Sequence, residues 1–179
     1  MGQIDIRTAH TSDLDGATLD AVRALLENVF DEDWSETDWD HTVGGVHVLA
    51  WDDAELVGHA SLVQRRMLHG GRALRTGYVE AVAVRADQRR RGLGAALMEA
   101  LEHVLKNAYE LGALSASDEA IEFYTALGWQ RWQGPSYALT PQGVMRTEDE
   151  DDGIFVLPVT ASVDVSGPLT CDWRDGDVW

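Results

Sequence analysis

The chain has 179 residues, enough for one domain with a sizeable hydrophobic core, and 45% of them are apolar, which excludes a wholly disordered polymer. Its 31 acidic residues against 14 basic ones leave a net charge of −17, a field that repels phosphate backbones and attracts cations, so no nucleic-acid partner is expected. Cys171 is the only cysteine, which excludes an internal disulfide, and with neither an apolar run of spanning length nor a basic-then-apolar leader the expectation is a cytoplasmic protein with no membrane partner.

Ile4, Ile6 and Thr8 predict a first strand, and Ser12 with Asp15 three residues later predicts a capping box. Leu19, Val22, Leu26, Val29 and Phe30 follow at helical spacing. Residues 31–40, DEDWSETDWD, hold six acids and two tryptophans and read as an acidic loop. Val46 to Trp51 predicts a strand, Asp52-Asp53 a turn, and 55–68 the returning strand. Gly70-Gly71 closes a second hairpin into TGYVEAVAV at 76–84. Residues 92–108 carry the clearest helical periodicity, in Leu93, Leu97, Leu101, Val104 and Leu105. A short strand at 111–116, a helix from Asp118 to Leu127 stopped by Gly128, an acidic run EDEDD at 148–152 and a strand at 153–159 complete the chain. With no repeat and no long linker, the order predicts a single α/β domain over 1–179, with a mixed sheet.

Chemistry concentrates where the 76–84 strand passes into the 92–108 helix. Arg85, Arg89, Arg90 and Arg91 place four of the 14 basic residues within seven positions, beside Gly92, Gly94 and the free amides of a helix start. Amides, dipole and guanidiniums together make an anion site, and the spacing is neither a P-loop nor a dinucleotide-binding fingerprint. Period-2 alternation puts Tyr78, Glu80, Val82 and Val84 on one strand face. A carboxylate on that apolar strand is either ion-paired or used, and burial would raise its pKa into the range of a general base. Tyr124, before Ala126-Leu127-Gly128-Trp129, reads either as a core tyrosine or as a proton donor.

Arg89-Arg90-Arg91-Gly92-Leu93-Gly94 resembles the pyrophosphate loop of the GNAT acetyltransferase superfamily, and Tyr124 with the following Gly128-Trp129 resembles a second segment of it. The resemblance implies a GNAT fold, with a mixed central sheet antiparallel in its N-terminal part and helices on both faces. It implies acetyl-CoA as cosubstrate and no metal. The loop from Arg89 through Leu93, Gly94 and Ala95 would hold the pyrophosphate, and the backbone of Val82, Ala83 and Val84 would pair with the pantetheine arm. Glu80 would be the base and Tyr124 the acid that protonates the leaving thiolate.

WSETDWDHTVGGVHVLAW, VQRR, GYVEAVAVRAD, YELGALS, FVLPV and CDWRDGDVW, spread from Asp31 to Trp179, are similar to segments of the aminoglycoside 2'-N-acetyltransferases. That resemblance implies transfer to the 2'-amino group of antibiotics such as gentamicin or tobramycin by direct attack of the amine on the thioester, in a homodimer. It implies an acceptor site for a polycationic small molecule, built from Asp33, Asp38, Glu80, Ala81, Ser115, Asp151 or Asp152, Asp177 and the terminal carboxylate of Trp179. The alternative acceptor is another polyamine or a cell-wall amino sugar.

Overall fold

In the computed structural model, residues 4–179 are described, and they form two compact units. The first comprises the chain up to Val63 together with Val79–Val104, and the second comprises Gln64–Tyr78 and Leu105–Trp179.

The first unit opens with β1 (Ile4–His10), α1 (Gly16–Phe30) and α2 (Glu36–Thr42), followed by β2 (Val46–Asp52). It also holds the first half of β3 (Glu55–His69), the second half of β4 (Arg72–Val84) and most of α3 (Leu93–Ala108). β1 runs antiparallel to β2 and β2 to β3, with β4 next to β3. Both predicted hairpins form. Gly70 and Gly71 sit at φ 57° and 76°, the left-handed pair that a tight two-residue turn requires.

The pleat assigns the two faces of this ladder. Gly58 pairs with Ala50, and a Cβ there would meet Leu97 and Leu93 at 3.1 and 3.4 Å, so this face lies on α3. Leu49, one residue along, points to the opposite face and clusters with Val22, Leu25 and Leu26 of α1 and with Ala83. Leu97, Met98 and Leu101 of α3 are fully buried, each contributing roughly 1.5–3 kcal/mol of burial. The α1 cap differs from the expected one. Asp15 itself is the N-cap and accepts from Thr18 N at 2.8 Å, while Ser12 N donates to His10 Nδ1. The capping box lies instead at Ser35 and Asp38, so the acidic stretch is a short 3-10 turn followed by α2, not a loop.

The second unit adds β5 (Leu111–Ser115), α4 (Ile121–Ala126), β6 (Gln130–Arg131) and the hairpin β7 (Ser136–Thr140) with β8 (Gly143–Arg146). It closes with β9 (Ile154–Pro158) and β10 (Leu169–Cys171). Its strand order is β6-β9-β5-β4-β3-β10-β7-β8, with β4–β5 and β10–β7 parallel. A Cβ on Gly112 of β5 would stand 2.6 Å from Leu105 and 3.0 Å from Trp129, so any larger residue there would force these side chains to shift. Among the described residues, no helix is long and apolar enough to cross a membrane.

Candidate active site

The loop between β4 and α3 belongs to the first unit. Its backbone turns twice through the left-handed region, at Arg90 (φ 60°) and Gly92 (φ 82°). A Cβ on Gly92 would meet nothing within 4 Å, so glycine is there for its torsion and not for close packing. α3 begins at Leu93, so the amides of Leu93, Gly94 and Ala95 have no acceptor within the helix and point out of its positive end. Such a set of donors fits a pyrophosphate, and an open cavity lined by Arg91, Gly92, Leu93 and Ala96 lies beside it.

The four arginines are not equivalent. Arg85 donates to both carboxylate oxygens of Asp87 at 2.6 and 2.9 Å and to Glu55 at 2.8 Å, which commits it to the protein itself. Arg91 donates to Gln88 Oε1 at 2.6 Å, and Arg89 Nε to the Val84 carbonyl at 3.0 Å. Arg90 is exposed on the loop.

Glu80 is half-buried on β4. Its carbonyl accepts from Ser61 Oγ at 3.4 Å. The expected even alternation along this strand is interrupted by Ala81, which sits at φ 49°. Val82 and Val84 are half-buried and Ala83 is buried in the α1 cluster. Asp33 lies exposed in the 3-10 turn before α2. Asp38 caps α2, with its Oδ2 accepting from Ser35 N at 2.8 Å and from Ser35 Oγ at 2.6 Å.

In the second unit, Tyr124 lies buried on α4 among Phe123, Trp129 and Phe155, with ring centroids 5.1–6.3 Å away. Burial pushes its phenol up to about 12, which keeps the proton on it at any physiological pH. Ser115 ends β5, exposed, with its Oγ 3.5 Å from where a Cβ on Gly153 would lie.

The acidic run shows which carboxylates are already engaged. Arg146 grips Asp151 through two nitrogens, and Ser136 donates to it from both N and Oγ. The Arg146 bond is the main reason its carboxyl falls to about 2. Asp152 is exposed, and its carbonyl accepts from Arg131 Nε at 2.6 Å. Glu150, absent from the residues expected from sequence, is half-buried, and its carboxyl is raised first by burial and then by the charges of Asp177 and Asp149. It is therefore Glu150 whose carboxyl feels the charge of Asp177.

The last residues fold back on themselves. Arg65, 4% exposed, donates from Nε to Asp172 Oδ1 at 2.7 Å and from Nη2 to the carbonyls of Asp172 and Val178 at 2.9 and 2.7 Å. Arg174 donates to the carbonyl of Asp177 at 2.7 Å and to the Trp179 main-chain oxygen at 3.0 Å. Trp179 is buried, with its indole N–H on Thr147 Oγ1 at 2.9 Å, and Asp177 stays exposed. The buried Cys171 thiol donates to the Val178 carbonyl at 3.3 Å, and desolvation pushes it up to about 11.

A β4-loop-α3 anion cradle, following a strand that carries a half-buried carboxylate, suits a ligand that carries a pyrophosphate. Residues 17–129 match the acetyltransferase (GNAT) family model, and the chain belongs to that family. Across 177 residues it is 51% identical to an aminoglycoside 2'-N-acetyltransferase of Mycolicibacterium fortuitum, covering 97% of this chain and 91% of the relative. Two solved structures from Escherichia coli share the fold. YhbS, a GNAT family N-acetyltransferase in complex with CoA, matches at a TM-score of 0.67 and 15% identity over 95% of this chain and 90% of its own. ElaA matches at 0.62 and 22% identity, over 74% of this chain and 91% of its own. The α/β architecture with a mixed sheet is that of the family.

Proposed function

We propose that the chain transfers the acetyl group of acetyl-CoA to the 2'-amino group of an aminoglycoside. The single observation that carries this reading is the near full-length 51% identity to an enzyme of that name. Acetyl-CoA supplies an acyl group activated as a thioester. The amides of Leu93, Gly94 and Ala95 with Arg89, Arg90, Arg91 and Gly92 hold the pyrophosphate, and the backbone of Val82, Ala83 and Val84 holds the pantetheine arm. Glu80 takes a proton from the acceptor ammonium, because only the free amine can attack. As the N–C bond forms and the C–S bond breaks, the Tyr124 hydroxyl gives its proton to the departing thiolate, and the surplus proton on the newly acylated nitrogen leaves it to restore the phenol.

The acceptor is a polycation, and the net charge of −17 draws it in. In the first unit, Asp33 and Asp38, with Glu80 and the Ala81 backbone, bind it. In the second, Ser115, Asp177 and Trp179 do so, with Glu150 taking the part that the sequence reading divided between Asp151 and Asp152. Glu150 and Asp177 present two carboxylates that are repelled by each other and relieved by one ammonium. The protein forms a homodimer. In support, Leu139, Val144 and Met145 of the β7–β8 hairpin stand 44%, 62% and 53% exposed on the edge of the second unit's sheet.

The test is CoA release with tobramycin, gentamicin and spermidine side by side. Turnover with both antibiotics is expected, and turnover with spermidine alone overturns the acceptor assignment. Light scattering during size-exclusion chromatography should give twice the chain mass.

A further inference from the structure

Beneath the β4 irregularity, the first unit contains a run of buried polar groups that no part of the proposed mechanism uses. His59 Nδ1 lies 2.8 Å from the Ala81 carbonyl oxygen, His59 Nε2 lies 2.9 Å from His47 Nδ1, and His47 Nε2 lies 2.8 Å from Thr11 Oγ1. Both imidazoles are 0% exposed, on a face otherwise occupied by Leu49, Ala83 and the α1 cluster. Two histidines are a costly choice for such a place, since leucine would fill it without a polar atom to satisfy.

The protons in this chain are fixed by chemistry. A carbonyl only accepts, so His59 carries its hydrogen on Nδ1 and leaves Nε2 bare. His47 must then donate from Nδ1, which leaves its own Nε2 as an acceptor beside the Thr11 hydroxyl, whose one proton is shared between that nitrogen at 2.8 Å and the Gly45 carbonyl at 3.1 Å. Thr11 Oγ1 is oriented in turn by the Gly44 amide, which donates to it at 2.9 Å. Both histidine links run in one direction, toward the Ala81 oxygen. That oxygen needs the donor. Ala81 at φ 49° is a non-glycine residue in a left-handed conformation within a strand, a state that persists only where its surroundings over-determine it.

We propose that His59, oriented by His47 and Thr11, is a positioning residue for acetyl transfer: its Nδ1–H holds the Ala81 peptide in its turned conformation, and so sets the carboxylate of Glu80 on one side and the Val82–Val84 backbone on the other. The inference rests on the proposed role of those two elements. It makes the turned backbone at Ala81 a feature built by side chains two strands deep. Neither histidine touches a reactant, and neither moves a proton to one.

The test uses the full chain with His59→Leu, which fills the volume without a donor, and His59→Asn, whose amide N–H stands near the Nδ1 position. With wild-type turnover on its best acceptor as reference, the Leu variant should lose about tenfold or more in kcat, as expected when reacting groups are misplaced. The Asn variant should recover most of the loss at equal acceptor KM. Wild-type kcat in the Leu variant, or equal losses in both, overturns the inference. If wild-type protein acetylates none of the amines tried, the acceptor assignment fails by itself, and the acetyl-CoA Kd carries the test: weaker in Leu and restored in Asn supports the proposal, and the same Kd in all three overturns it. Nitrogen-15 spectra of the unmutated protein give a reading independent of variant folding. Nδ1-protonated, Nε2-bare signals for both His47 and His59 are expected, and an Nε2–H tautomer on His59 overturns the proposal.

Discussion

The guanidinium of Arg65 holds the carboxylate of Asp172 at 2.7 Å, joining residue 65 of β3 to a segment more than a hundred positions later. The same side chain donates to two carbonyls of the C-terminal segment. Arg65→Met keeps the stem and removes the donors. Breaking a buried pair strands the partner groups, at a cost on the order of 2–3 kcal/mol here because Asp172 is partly exposed. The expected result is a Tm lower by several degrees in calorimetry, together with a raised KM for the aminoglycoside and an unchanged KM for acetyl-CoA.

Glu150 and Asp151 are adjacent and should respond oppositely. Glu150→Gln removes a carboxyl that burial and two neighbouring acids already disfavour, so Tm should hold or rise slightly. Its acceptor KM should rise about tenfold, the scale of one charge-assisted contact. Asp151→Asn should instead lower Tm, because it releases Arg146 and Ser136, and should change acceptor KM less. Equal shifts in KM would remove the distinction between the two acids.

For Tyr124, a phenol at about 12 stays protonated across the whole assayable range. The alkaline limb of the kcat profile therefore should not come from it below pH 11. Tyr124→Phe should cost roughly 10²-fold in kcat with substrate KM values near wild type, the scale of a lost general acid. A variant as fast as wild type would return this residue to the core packing of α4.

Acid should unfold the protein partly through its histidines. Burial, with a weaker push from His10, lowers His47 to about 4; burial, opposed by the Ala81 bond and aided by His47, lowers His59 to about 3. Unfolded, both bind protons near 6.5, so the unfolded state takes up more protons once pH drops below that value. Stability is then lost below about pH 6.5, down to about pH 4 through His47 and about pH 3 through His59, at up to roughly 1.4 kcal/mol per pH unit for each histidine. Urea midpoints measured across that range should fall with pH, and His47→Asn with His59→Asn should flatten the slope.

The strands and helices that carry regular patterns were legible from the spacing of their apolar residues and from their turn glycines. Leu93, Leu97, Leu101 and Leu105 outline α3, and Gly70-Gly71 marks a hairpin whose torsions need glycine. α2 escaped because its acids read as a loop, although Ser35 and Asp38 stand at capping-box spacing. The β7–β8 hairpin was missed because its strands are short and its outer residues apolar. The pyrophosphate loop was legible as a motif, but the withdrawal of Arg85 onto Asp87 and Glu55 was not, since it depends on Glu55 lying across a ladder. Glu150 could not be told from its neighbours, because a 3-10 turn at Glu148–Glu150 decides which carboxyls of the five are half-buried. The His47–His59 contact depends on strand register: Leu49 pairs with His59 and His47 with Ser61, an alignment that a one-residue slip would destroy.

Cys171, sealed under the tail with a thiol that ionises only near pH 11, also decides how the chemistry can be watched. At neutral pH a colorimetric disulfide reagent finds no thiolate on the folded enzyme, so every equivalent of dye released during turnover reports free CoA. A slow drift in blanks lacking the acceptor would mark molecules coming apart, and the same cuvette then records catalysis and denaturation on separate timescales.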